Sequence, residues 1–260
     1  MHLRRGIVDY HVHSNQSCDG KSSISEMCQK AIELGIEEIG FSEHVDFEPE
    51  DWGFGYFNYD RYTSGIKSAK ESLGNRLVIR KGVEIDYQRF FEDDIREWLQ
   101  NKKFDFIIGS VHYLDHEIIG GQLIGRKDLR RIYNDYFSEV THSIQSGLFD
   151  VVGHFDLVAR YVDSRRSELK NFDHHERIRT ILEEVMRNKI YLEINSKGLR
   201  EEYGDTMPSR KIVDRFIENG GKLISIGSDA HSTEEIGSGI REILLFLTNY
   251  DGNKLELLFE

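Results

Sequence analysis

The sequence predicts an α/β fold: a parallel sheet of about seven strands, closed or nearly closed into a barrel, within a single domain of residues 1–260. Three observations predict it. Short apolar runs alternate with longer stretches whose apolar residues recur at helical spacing. Only two of the 260 residues are proline, and no Pro-, Gly- or Ser-rich linker breaks the alternation. Side chains able to bind a metal return at the end of one strand-like run after another. Alternation of this kind implies right-handed crossovers between parallel strands, and an open doubly wound sheet satisfies that rule as well as a barrel does.

The first run, GIVDYHVH, ends in His11 and His13. In a strand, residues i and i+2 share a face, so these imidazoles project side by side where the chain leaves the sheet. A core strand gains nothing from them there, whereas neutral imidazole is a good ligand for zinc, iron and similar ions. SISEMCQKAIELG follows, a helical stretch with a serine start and a glycine stop. IEEIGFSEH ends in Glu43 and His44, and the aromatic DWGFGYFNYDRY after it is long for a βα connection and could cover a site. YDRYTSGIKSAKESLG is the next helical stretch. LVIRKGVEIDY carries Glu84 and leads into FEDDIREWLQNK; FDFIIGSVHYL carries His112 and leads into KDLRRIYNDYFSEVTHSIQSG. FDVVGHFDL carries His154, with DHHERIRTILEEVMRNK behind it. IYLEIN and SRKIVDRFIENGG come next, and KLISIGSDAH ends in Asp229 and His231. In β/α barrels the C-terminal face of the sheet is where active sites are built.

Composition narrows the classes. Hydrophobic residues at 38% suffice for a core, and 11% aromatics argue against disorder. A formal charge of −12 argues against a nucleic-acid groove, which needs a basic stripe. MHLRRG runs directly into a strand-like segment without an apolar leader region, and no apolar run is long enough to span a membrane. Two cysteines, Cys18 and Cys28, cannot build a disulfide framework and suit a reducing cytoplasm.

Histidines with carboxylates, and no thiolate pair, fit catalytic Zn, Mn or Fe better than a closed structural zinc. They are too many for one ion, so a cluster of two or three is expected. DYHVHSNQSCDG, GFSEHVD, GVEIDY, GSVHYL, GHFDLV and GSDAH together resemble the successive motifs of the PHP (polymerase and histidinol phosphatase) superfamily, over residues 7 to about 240. GSVHYLD, GHFDLVARY and INSKGLR with the later IGSDAHS are most similar to its stand-alone histidinol-phosphatase branch. The resemblance implies a distorted seven-stranded (β/α)7 barrel with three metals. It implies that His11, His13, Glu84 and Asp229 hold one ion, and that Glu84 bridges to a second completed by His112 and His154. Asp19, His44 and His231 would hold the third. Glu84, His112 and Asp229 are the implied catalytic residues. Asp9 and Glu43, beside ligands, are candidates to orient imidazoles, or plain strand-end acids.

Clustered divalent ions make hydroxide available near neutral pH and neutralise charge on phosphoryl oxygens, as hydrolysis of a phosphate ester requires. Arg160 and Arg200 follow ligand-bearing strands and are candidates to grip phosphate, with Lys197 a third. Asp115 and Glu117, on the loop after the fourth strand, read as solvated loop residues or, alternatively, as candidates to meet an amine or imidazole of the substrate. Cys18 adjoins Asp19 and reads as a small buried residue. His116 is placed on a loop, and His2, His142, His174 and His175 at the surface. The expected substrate is a small phosphorylated metabolite, L-histidinol phosphate, with neither nucleic acid nor membrane as a partner. Competing readings are another small phosphomonoester, a PHP- or TatD-like nuclease, an amidohydrolase and a non-catalytic partner domain. The amidohydrolase reading lacks a lysine at the fourth strand, and the non-catalytic reading would require lost ligands.

Overall fold

The computed structural model describes residues 6–126, 128–162 and 175–259; His2 and His174 lie outside the described residues. In chain order the strands are β1 (Ile7–Val12), β2 (Ile36–Val45), β3 (Val78–Asp86), β4 (Phe106–Ser110) and the two-residue β5 (Tyr113–Leu114) and β6 (Glu117–Ile118). They continue with β7 (Val151–Val152), β8 (Tyr191–Asn195), β9 (Leu223–Gly227) and β10 (Glu256–Leu257). The helices are α1 (Ile24–Glu33), α2 (Tyr59–Leu73), α3 (Glu92–Leu99), α4 (Gly121–Arg126), α5 (Leu129–Ser146), α6 (Leu157–Val162), α7 (His175–Arg187), α8 (Arg210–Glu218) and α9 (Ile240–Leu247).

The sheet runs β1-β2-β3-β4-β7-β8-β9-β10, parallel at every pairing, with β5 and β6 forming a separate antiparallel hairpin. All seven runs read as strands are in it. The eighth strand corrects the expected count: β10 is two residues on the edge of β9, too short to carry a periodic signal. The chain curls until β1 meets the segment after β9. There the His13 N–H donates to Ala230 O at 2.8 Å and the Asp229 N–H to His11 O at 2.7 Å. An open doubly wound sheet has no such contact.

The local chemistry is orderly. Both faces of the sheet are covered, so its strands are Ile- and Val-rich rather than alternating. Helix α1 starts with a capping box, in which Ser23 accepts from the Glu26 N–H while Glu26 accepts from the Ser23 N–H. Buried Ile, Leu and Val side chains of α5, α7 and α8 pack on one flank of the sheet, and Met27, Cys28, Tyr62 and Ile66 on another. Among the described residues no helix is long and apolar enough to cross a membrane.

Tyr10, Phe106, Ile108, Val151 and Leu258 form a separate apolar cluster. Two bare backbones make room for it: a Cβ on Gly40 would stand 2.9 Å from the Phe106 ring, and one on Gly82 2.3 Å. Gly82→Ala is therefore expected to cost about 1–3 kcal/mol through overpacking, measured by denaturant unfolding. Adding Phe106→Leu should return part of that loss. A single variant as stable as the parent would show that the ring does not rest on β3.

Candidate metal centre

At the end where the strands exit, one buried carboxylate faces five imidazoles. Glu84 Oε2 lies 3.1 Å from His11 Nε2, 3.1 Å from His44 Nδ1 and 3.4 Å from His13 Nε2; its Oε1 lies 3.0 Å from His154 Nε2 and 3.7 Å from His112 Nε2. Register creates this, since His44 on β2 is directly opposite Glu84 on β3. Asp229 Oδ1 lies 3.4 Å from His231 Nδ1 and 3.7 Å from His13 Nε2. Asp19 Oδ2 lies 2.9 Å from His231 Nε2 and 3.6 Å from His44 Nε2. The structure thus brings His11, His13, Asp19, His44, Glu84, His112, His154, Asp229 and His231 into one cluster.

The donor set fits divalent cations. His11 Nε2, His13 Nε2, Glu84 Oε2 and Asp19 Oδ1 are buried without a hydrogen-bond partner. His112 Nε2 and His154 Nε2 point at each other across 3.1 Å. Lone pairs gathered out of water in this way are costly unless a cation shares them. Ligating atoms lie within 4.8 Å of one another in three trios: His11, His13 and Asp229; His44, Glu84 and His112; and His13, His44 and His231. Burial alone would raise the Glu84 carboxyl, yet His11 and His44 hold it well below its usual range. Burial, with His44 and His231 beside it, pushes the His13 imidazolium well down.

A second circle of side chains orients the first, and two of its members escaped the sequence reading. Glu193 Oε1 pairs with His11 Nδ1 at 2.5 Å, and its Oε2 accepts from the His154 N–H at 2.6 Å. Asp86 Oδ1 accepts from the His112 N–H at 2.7 Å and lies 3.5 Å from its Nδ1. The signal for both was an acid within an apolar strand run. Glu43 reaches an imidazole only indirectly: it accepts from Ser17 Oγ at 2.7 Å, which lies 3.2 Å from His13 Nδ1. Burial pushes Glu43 up to about 7. Asp9 touches no imidazole; it accepts from the Ser228 N–H and Oγ and from the Gly237 N–H, fixing the exit from β9.

The cleft above the cluster is lined by Lys197 and Arg160, by Asp46 and Asp51, and by Trp52, which is 69% exposed on the aromatic connection after β2. Burial would lower the Lys197 ammonium, but Asp229, 3.0 Å away, keeps it above its ordinary value. Arg160 holds Glu201 through Nε at 2.5 Å and Nη2 at 2.7 Å. Arg200, expected beside phosphate, is not among the lining residues; it donates to Ser228 O at 2.6 Å and Asp229 O at 2.8 Å. It thereby steadies Asp229, whose φ of 54° is uncommon for a residue other than glycine. Asp115 and Glu117 sit at the hairpin and do not line the cleft either, because the β5–β6 turn directs them elsewhere. Cys18 does line it, and burial, with Asp19 nearby, pushes its thiol up to about 12.

Known proteins resemble this chain in sequence and in fold. The profile of the PHP domain family matches residues 9–197. A protein of Thermotoga maritima described as a probable histidinol-phosphatase is 27% identical over 256 residues, spanning 96% of this chain and 97% of its own. The histidinol-phosphatase of Lactococcus lactis is 29% identical over 86% of this chain and 84% of its own. The crystal structure of the Lactococcus lactis histidinol phosphate phosphatase, in complex with zinc, L-histidinol and phosphate, superposes with a TM-score of 0.84 at 24% identity. The match covers 97% of this chain and 95% of that one.

The outer carboxylates give the first test of the centre. Zinc added to chelator-stripped protein is expected to raise its melting temperature. Glu193→Ala should weaken zinc retention by about 10–100-fold, read by competition with a chromophoric chelator. Undiminished affinity would show that His11 and His154 do not depend on Glu193.

Proposed function

The chain belongs to the PHP domain family, and on that premise we propose that it hydrolyses L-histidinol phosphate to L-histidinol and phosphate, as a metal-dependent phosphomonoesterase of histidine biosynthesis. One observation carries this reading: a cleft lined by seven of the nine clustered histidines and carboxylates, with His11 and His13 against Glu84 behind them, also holds Lys197 and Arg160 in its lining. The substrate itself comes from the relatives, which share nearly the full length of the chain. We take residues 1–260 as one catalytic unit, working in the cytoplasm, where free Cys18 and Cys28 are at home.

His11, His13, Glu84 and Asp229 would hold one ion, Glu84 with His112 and His154 a second, and Asp19, His44 and His231 a third. Two or three ions of zinc, iron or manganese, when bound, would supply an activated water and neutralise charge on the phosphoryl oxygens. The protein's own groups do the rest. Glu84 holds five imidazoles at once, and Asp229 is fixed by Lys197 and by Asn195 Nδ2 at 3.2 Å. Lys197, charged and able to donate three hydrogen bonds, meets one phosphate oxygen, and the Arg160 fork meets two. Glu201 holds that fork in the meantime. Arg200 supports the Asp229 backbone rather than the substrate. Asp46 and Asp51 suit the cationic remainder of an amino alcohol that carries an imidazole. Trp52 covers the opening and excludes water.

The decisive experiment measures phosphate release from L-histidinol phosphate, from p-nitrophenyl phosphate and from a nucleic-acid diester by metal-reconstituted protein. Strong preference for the first is expected. Glu84→Gln should abolish turnover, and Arg160→Ala should raise KM about 10–100-fold, the loss of a charge-assisted hydrogen-bonded pair. Equal rates on both monoesters would leave a general phosphatase. Cleavage of the diester alone would replace the reading with the nuclease one.

A further inference from the structure

Away from the metal-ligand cluster and the acids that orient it, Glu48 is a buried carboxylate whose partners come from two other segments of the chain. It lies on the connection between β2 and α2 and is 1% exposed. Its Oε2 accepts from His116 Nδ1 at 2.7 Å and from Gln88 Nε2 at 3.3 Å. Gln88 Oε1 in turn accepts from the His116 backbone N–H at 3.3 Å. Three segments distant in sequence therefore meet at one carboxylate: the connection after β2, the end of β3 and the turn of the β5–β6 hairpin.

That turn needs holding. Asp115 and His116 take φ values of 53° and 65°, the left-handed region that side chains other than glycine adopt at a cost. The hairpin has only two residue pairs, Tyr113 with Ile118 and Leu114 with Glu117, and so short a ribbon is marginal by itself. Phe90 lays its ring over the His116 imidazole at 4.5 Å between centroids. Yet this hairpin builds part of the site, since Tyr113, Ile118 and the following Ile119 line the cleft.

We propose that Glu48 and Gln88 are positioning residues, a two-point clamp on His116 that fixes hairpin β5–β6 and with it the wall of the cleft that meets the non-phosphate part of the substrate. The proposal rests on the reading above only for the identity of that substrate. The clamp touches no reacting atom, so it governs substrate discrimination and leaves the chemical step alone. Gln88 Nε2 also lies 3.5 Å from Asp86 Oδ2, and Asp86 holds His112. A role exerted along that path would show in metal retention and kcat instead.

His116→Ala is the safest probe because its side chain is 57% exposed. Glu48→Ala and Glu48→Gln complete the set. His116→Ala and Glu48→Ala are expected to raise KM for L-histidinol phosphate roughly tenfold while kcat stays within about twofold. Zinc content and KM for p-nitrophenyl phosphate should not change, and amide exchange over residues 113–119 should quicken. Glu48→Gln should recover most of the loss, because its amide oxygen still accepts from His116 Nδ1. Unchanged exchange in His116→Ala would overturn the proposal. So would a fall in kcat and zinc content at constant KM. If the parent protein leaves L-histidinol phosphate intact, the proposed function falls, and the exchange measurement alone upholds or overturns the clamp.

Discussion

Glu84 is the point on which the rest of the structure turns. It is buried at 0% exposure with five imidazoles within 3.7 Å of its oxygens. A carboxylate in such a place survives only if its charge is compensated on every side. The barrel provides compensation geometrically, because parallel strands in register deliver their side chains to a common end, β1 two imidazoles and β2, β4 and β7 one each. Ser110 Oγ adds a hydrogen bond to Glu84 Oε1 at 2.5 Å. Removing Glu84 would leave five rings without a common partner, which is why no single imidazole matters as much.

Fold and site share their bonds. The contact that brings β1 back to the end of β9 runs between the backbones of His11 and Asp229, both of which also present side chains to the cluster. Gly227, just before, has room for no Cβ: one would stand 2.2 Å from His11 Cβ and 2.8 Å from Glu193 Oε1. Asp9 and Arg200 grip the same crossing, one through Ser228 N–H and the other through the Ser228 and Asp229 carbonyls. The closing of the sheet and the positioning of ligands are therefore one mechanical problem with one solution.

What could be read from the sequence follows from periodicity and from strand ends. The seven main strands were legible because each is an apolar run bounded by helical stretches, and eight of the nine cluster residues because they recur where those runs stop; Asp19, on the connection after β1, came only from the family resemblance. Short elements carried no such signal: β10, the β5–β6 hairpin, α4 and α6 have too few residues for a period to show. Glu193 and Asp86 were visible as acids in apolar runs, but their partners, His11 and His112, belong to other strands and are fixed only by the fold. Arg200 pointed elsewhere than expected because a left-handed Asp229 turns its carbonyl toward the guanidinium. For Asp115 and Glu117 the linear order left substrate contact and a solvated loop both open, because the direction of a tight turn is not contained in it.

The distribution of charge then says how an acidic protein can bind an anion at all. Each cationic side chain near the cleft already has an anionic or carbonyl partner: Lys197 has Asp229, Arg160 has Glu201, and Arg200 has two carbonyl groups. Asp51 and Asp46 line the cleft as well, and burial, with Asp86 and Asp51 nearby, pushes Asp46 up to about 8, so that near neutral pH it is largely protonated and leaves the balance of charge almost unchanged. On its side chains alone this cleft offers a phosphate little net attraction. The positive charge has to come from cations held by the histidine–carboxylate cluster, and phosphate affinity should follow their occupancy rather than the count of basic residues. A chain of net charge −12 can therefore admit one small phosphate at a loaded centre in spite of its general field.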